Sequence, residues 1–345
     1  MNRLPLVVIL CVLPGVLVGQ RMIYGIVSDS TSSERIPSVN VYINNSTIGT
    51  TTNVDGRYSL LVPNTPVEVV FSFVGYRSYI FSTAKFKSDS VRLNVKMGMT
   101  TTNLQTVVVK GEADKEWKRM MGKFNAVFLG EKHFASYCSI LNAGYIDLQS
   151  TRIDGIRVLT ASSPRPIEIL NDALGYKIHY DLQVFLSSSR GDQFTGSVFF
   201  VPLKPLDSAQ SAFWHMNRQR AYSGSVRHFF KSVIRKHLKQ EGYSLTIVKE
   251  ETSRPFQPDS IRISEAKGIY RIKMPGQIQI EYNDSRLKEV TTSAMTFPNG
   301  FVDVDGTGSI VDPLTVISSG NMGELRVSDM LPFDYLPPAH KTETH

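Results

Sequence analysis

The chain has 345 residues, 41% hydrophobic and 20% charged, with a formal net charge of +7. That composition excludes wholesale disorder and leaves room for two domains. The positive balance favours anionic partners without naming one.

The first stretch, "MNRLPLVVILCVLPGVLVGQ", sets Arg3 before an apolar run at 4–18 and a small residue, Gly19. This is the order of a secretory signal peptide. The run falls short of the ~20 residues that span a bilayer, and Pro5, Pro14 and Gly15 interrupt it. Residues 1–19 are therefore expected to be cleaved near Gly19/Gln20, which places the mature protein in the periplasm or at the outer membrane. Cleavage removes Arg3 and no acid, leaving a charge of +6. Cys11 has Leu10 before it, where lipid attachment favours a small residue. Cys138 then remains the single thiol, with no partner for an internal disulfide. Its neighbours Tyr137, Ile140 and Leu141 read as a buried small hydrophobe rather than a nucleophile.

Residues 20–99 read as short strands joined by turns: "MIYGIVSD", "SVNVYI", "GRYSLLV", "VEVVFSFV" and "SVRLNVKM" are rich in β-branched and aromatic residues. Asn53, Asp55 and Gly56 form a turn into the strand at Arg57. Asp55-Gly56 lacks the further oxygen ligands of an EF-hand, so no calcium site is expected. The spacing predicts an antiparallel sandwich.

The residues Gly25-Ile26-Val27, Pro37-Ser38-Val39, Gly49-Thr50, Asp55-Gly56-Arg57-Tyr58 and Phe73-Val74-Gly75-Tyr76 resemble a carboxypeptidase-regulatory-like domain. The resemblance implies a seven-stranded Ig/transthyretin-like sandwich at 20–99. Such domains also precede the plug of TonB-dependent receptors in Bacteroidota, and "LQTVVVKG" at 104–111 is similar to the segment that follows them there, so 100–111 is read as a linker strand. The remaining residues are too few for a receptor barrel of 22 strands. A carboxypeptidase zinc pattern is met only by His340 and Glu343 in the tail, which is treated as coincidence.

Residues 112–345 predict an α+β domain, mostly antiparallel sheet with a few helices. Trp117, Met120, Met121, Phe124, Val127 and Phe128 have helical spacing. "YKIHYDLQVFL" alternates as a strand with one wet face carrying His179 and Asp181. Two helices follow, "DSAQSAFWHMNRQRAY" and the stretch from 226 to 239, and strands resume from "YSLTIVKEE" onward. "VDVDGTGSIVDP" reads as strand–turn–strand, because calcium-loop spacing would put Leu314 where the bidentate acid belongs. "FLGEKHFASYCSILN", "LGYKIHYDLQVF", "RQRAYSGSVRHFF" and "MLPFDYLPP" resemble the C-terminal part of uncharacterised Bacteroidota envelope proteins, a resemblance that brings no activity with it.

The stretch "RAYSGSVRHFFKSVIRKHLK", 220–239, holds the candidate residues. Ser225 and His228 form the catalytic alternative. Against it, Ser225 or Ser223 stands where an N-cap belongs, and no nucleophile-elbow pattern surrounds it. On a helix over 226–239 His237 falls inside the apolar stripe and His228 almost opposite. Arg227, Lys231, Arg235 and Lys239 follow at four-residue steps, extended by Arg218 and Arg220. Such a face is either solvated, or paired with acids such as Glu250 and Glu251, or a surface for an anion.

The expected function is that of a non-enzymatic cell-envelope binding or adaptor protein with the sandwich as its docking or stability module. Arg220, Arg227, Lys231, Arg235 and Lys239 are the candidates for an envelope protein, an acidic glycan or a lipid headgroup. No cofactor, metal or nucleic-acid partner is expected. The alternative is an envelope hydrolase of unrecognised type acting on glycan or peptide, with acids and bases gathered from Asp147, His179, Asp181 or Glu281.

Overall fold

In the computed structural model, residues 20–86, 88–100, 115–132, 134–249 and 252–338 are described. The expected signal peptide, the 104–111 segment, Glu250, Glu251 and the His340–Glu343 pair lie outside them. Among the described residues no helix is long and apolar enough to cross a membrane.

The first unit is a sandwich. One sheet joins β1 (Gln20–Asp29), β4 (Arg57–Pro63), β7 (Ser90–Arg92) and β8 (Val95–Met97). The other runs β3 (Gly49–Thr51), β2 (Asn40–Ile43), β5 (Glu68–Ser72), β6 (Tyr79–Ser82). β4 alternates buried Tyr58, Leu60 and Val62 with exposed Arg57, Ser59 and Leu61, the period-2 pattern of a half-buried strand. Inner-face residues including Val27, Val41, Leu60 and Phe71 make the core between the sheets. The expected seven strands are found if β7 and β8 count as two halves of one, since both pair with β1, one after the other. These two pairings are parallel, which the strand pattern alone did not reveal. The break falls at Leu93-Asn94, where Asn94 Oδ1 accepts the Ile26 amide at 3.1 Å.

The rest of the chain packs around two further cores. In the first, α1 (Lys115–Phe128) covers a sheet of β9 (Cys138–Ile140), β10 (Asp147–Ile153), β11 (Ile156–Ser162), β12 (Ile167–Asn171), β13 (Tyr176–Ser188) and β14 (Gly191–Pro202), all antiparallel. The helix forms because its apolar residues return every three or four positions; Phe124 then packs against Phe185, and Phe128 packs edge-to-face on Tyr180 and Phe194. The second holds α3 (Val226–Arg235), which follows α2 (Ser208–Tyr222). α3 packs Phe229, Phe230 and Val233 on two antiparallel sheets. One contains β15 (Tyr243–Lys249), β16 (Thr252–Pro255), β19 (Gln277–Asp284), β20 (Glu289–Thr296) and β22 (Ile317–Gly320). The other contains β17 (Ile263–Ala266), β18 (Ile269–Lys273) and β21 (Phe301–Asp305). At the end of β21, Asp305 Oδ1 accepts from Thr307 N at 2.8 Å and Ser309 N at 3.0 Å, so this carboxylate holds a turn, as the strand–turn–strand reading had it.

Part of the polar face of β13 and β14 is covered. The sandwich sits on it. Asn45 N donates to Val198 O at 2.7 Å and Phe200 N to Ser46 O at 2.9 Å, a short parallel bridge. Tyr42 lies on Phe199, with ring centroids 5.0 Å apart. Ser78 Oγ donates to Asp181 at 2.5 Å. His179, expected to be solvated, is half-buried as a result. Burial and Lys177 lower its pKa, while burial raises that of Asp181.

Candidate functional site: the turn from α2 to α3 and the basic flank

α2 starts at its N-cap Asp207, whose Oδ1 accepts the Gln210 amide at 2.7 Å. It ends at Tyr222, and Gly224 carries the chain round with φ +72°. A Cβ there would also lie 2.8 Å from the Tyr282 ring, so the turn needs glycine twice over. Ser225 then caps α3. Its Oγ accepts the backbone N–H of His228 at 3.2 Å, a bond worth about 1 kcal/mol to the helix.

In that geometry the side chains of Ser225 and His228 are not bonded to each other. The serine hydroxyl bonds to the backbone of residue 228 and not to its ring. The imidazole Nδ1 accepts from Gly224 N at 3.1 Å, with Tyr243 Oη 2.9 Å away. Since an amide can only donate, Nδ1 carries no proton and Nε2 does. Nε2–H points at Glu241 Oε2, 3.3 Å away. Tyr222, Tyr243 and Tyr282 enclose the ring at centroid distances of 5.1, 5.2 and 5.5 Å. Both residues therefore hold the fold together. Helical spacing placed His228 opposite the apolar stripe; it is buried because the α2–α3 turn and three tyrosines cover that side. His237, expected within the stripe, is exposed, because the helix stops at Arg235 with Lys236 left-handed at φ 58°.

Ser223 is also committed, accepting from Arg286 Nη2 at 2.5 Å. Arg286 in turn pairs with Asp284 at 3.0 Å. Burial would raise the Asp284 pKa, but hydrogen bonds from Arg286 outweigh it and the net direction is down. Asp147, His179, Asp181 and Glu281 are not gathered: Asp147 starts β10, His179 and Asp181 lie under the sandwich, and Glu281 is on β19 in the other core. Among the described residues no three His, Cys, Asp or Glu side chains converge to hold a metal.

The basic residues divide. Arg227 is drawn inward. Its Nη1 donates to Pro332 O at 2.7 Å, and its Nη2 to Phe333 O and Tyr335 O, both at 3.0 Å. Burial lowers its pKa, against Tyr222, Asp305 and Asp334. Arg227 thus clasps a C-terminal strap that joins all three cores. Leu331 and Tyr335 pack in the α1 core, and Phe333 packs against the sandwich. Phe333 N donates to Asn45 O at 2.7 Å, and Asp334 accepts from Thr47. Neither charge spacing nor periodicity pointed to this strap; the trace of it in the sequence is the proline-flanked close "MLPFDYLPP", whose carbonyls belong to no strand.

Lys231 is half-buried and Arg220, Arg235 and Lys239 are exposed. Among the described residues none of the four makes an ion pair. Burial, then Arg235 and Arg227, lower the Lys231 pKa, and only Asp305 opposes them. Between the helix turn, Phe194 of β14 and residues 325–331 runs a cleft of about 280 Å³.

Residues 23–109 match the family described as CarboxypepD_reg-like domain. The N-terminal sandwich is a CarboxypepD_reg-like domain. In this chain the CarboxypepD_reg-like domain is the unit that docks on β14 and takes up Phe333 of the strap. No curated protein matches the chain significantly. Among solved structures, a provisional carbohydrate-binding protein from Bacteroides uniformis is 11% identical, with 83% of this chain and 98% of that chain covered and a TM-score of 0.18. A provisional membrane-associated protein of unknown function from Bacteroides fragilis is 10% identical, with 87% and 95% covered and a TM-score of 0.19. The major pilin subunit of Bacillus cereus is 8% identical, with 88% and 85% covered and a TM-score of 0.18.

Proposed function

We propose that the chain is an exported, non-enzymatic binding or adaptor protein of the cell envelope. Its CarboxypepD_reg-like domain is a built-in dock that orders the strap, and the outer flank of α3 meets an anionic envelope component. One observation carries this reading: Lys231 and Arg235 stand at i, i+4 with no ion pair to either among the described residues, and burial, then Arg235 and Arg227, lower the Lys231 pKa. Like charges at that spacing cost a helix about 0.2–0.5 kcal/mol, a cost that an anionic partner removes. Arg220 and Lys239 extend the surface, while Arg227 belongs to the fold.

The test compares the mature protein with Lys231→Glu/Arg235→Glu. Binding is read on phosphatidylglycerol-containing vesicles, on phosphatidylcholine vesicles and on an acidic polysaccharide. Wild type should bind one anionic probe, more weakly as salt rises, and the folded variant should not. Equal retention of both proteins on every probe rejects the proposal.

A further inference from the structure

The cleft beside α3 has a chemistry of its own. Its apolar wall is Phe194, Tyr222, Leu325, Met330 and Leu331. Its polar and charged lining residues are Ser225, Arg227, Arg326 and Asp329. Asp329 is already engaged, accepting from Arg326 N at 3.0 Å and from Ser328 Oγ at 3.3 Å. Arg326 spends only Nη1 on the protein, donating to Gly323 O at 2.7 Å and Leu325 O at 2.9 Å. Arg227 is held by carbonyl dipoles rather than by a carboxylate, and its Nε is buried with no hydrogen-bond partner among the described residues. Arg227 lies in the field of Asp305 and Asp334, whereas the Arg326 guanidinium makes no ion pair among the described residues. In a mostly apolar cleft such a charge acts through a lower effective dielectric than at an open surface.

We propose that this cleft binds a small amphipathic monoanion, an apolar chain or ring ending in one carboxylate-like group. The apolar part lies over Phe194, Met330 and Leu331, and the anionic end faces the free Nε and Nη2 of Arg326. The volume is near the lower end for ligand pockets, about 300 Å³, which suits a ligand of this size and excludes an oligosaccharide or a whole lipid. The site uses neither Lys231 nor Arg235, so it stands independently of the surface reading.

The probe is octanoate, below micelle-forming concentration, with octanamide as the neutral counterpart of the same shape. Both are titrated calorimetrically into the mature protein. Octanoate should bind at least tenfold more tightly than octanamide. Leu325→Trp, which fills the cleft from its half-buried rim, should abolish binding while the thermal midpoint stays close to wild type. Arg326→Gln should erase the preference for the anion but retain weak binding of both probes. Lys231→Glu/Arg235→Glu should leave octanoate affinity within twofold. The proposal is overturned if octanoate gives no heat at millimolar concentration, if the two probes bind equally to wild type, or if a folded Leu325→Trp variant binds octanoate unchanged.

Discussion

Arg227→Gln removes the clasp and leaves the helix otherwise intact. Three carbonyls, of Pro332, Phe333 and Tyr335, lose a charged donor at 2.7–3.0 Å. Each such bond is worth about 1.5–3 kcal/mol net. Phe333, Asp334 and Tyr335 are half-buried and water takes over part of the loss, so the total falls below three times the low-end value, to about 3–4 kcal/mol. At about 2 °C per kcal/mol for a large chain, the thermal midpoint should fall by about 6–8 °C. Arg227→Lys keeps the charge but lacks the planar fork that reaches three acceptors, so about half of that loss is expected. Hydrogen exchange gives the local readout: the Phe333 amide, bonded to Asn45 O at 2.7 Å, should lose protection before the amides of β13 do. If Arg227→Gln melts within 1 °C of wild type with Phe333 still protected, the strap does not depend on this arginine and the division of the basic residues is wrong.

Other consequences can be measured separately. Burial raises the Asp181 pKa where Ser78 meets it, so this contribution to stability is present below about pH 4 and is lost as pH rises through the folded value. Asp181→Asn keeps an acceptor for Ser78; its midpoint should exceed wild type at pH 7 and match it near pH 4, and a lower midpoint at pH 7 contradicts the reasoning. The Cys138 thiol is pushed up to about 12, first by burial and then by Asp329 and Asp172. Native protein should therefore react with a disulfide reagent at pH 8 at least 100-fold more slowly than unfolded protein. A Cβ at Gly49 would come within 2.9 Å of the Phe199 ring and 3.0 Å of Tyr42 Cβ. Gly49→Val should accordingly raise proteolytic sensitivity between the sandwich and β14 while α1 and its sheet stay folded. Ser225→Ala should cost about 1 kcal/mol, the value of a helix cap, and a larger effect confined to a hydrolytic activity would revive the nucleophile reading.

The sandwich was legible because its information is local. Alternating strands and the Asn53–Gly56 turn each state their own conformation, and the matching residues lie within one span. The amphipathic α1 was legible for the same reason. What escaped depends on meetings between distant segments. His228 was placed on the open side of its helix because periodicity describes a helix in isolation, whereas Tyr243 and Tyr282 arrive from β15 and β19. The polar face of β13 looked solvated because alternation cannot distinguish water from a second domain. Arg227 looked like a member of a surface row because charge spacing does not record that Pro332, Phe333 and Tyr335 return from over 100 residues later. The helix end at Lys236 was missed because a left-handed lysine has no compositional mark of the kind glycine provides.

The central claim is that α3 carries two kinds of cation, one clasping the fold and two facing an anionic partner. It is tested most directly by salt-dependent retention of Lys231→Glu/Arg235→Glu on the anionic probe that holds wild type, with Arg227→Gln alongside. The account predicts that the double variant elutes early while its thermal midpoint stays close to wild type, since one like-charged i, i+4 pair replaces another. Arg227→Gln should stay retained while melting earlier. Retention lost with Arg227→Gln and kept in the double variant would contradict it.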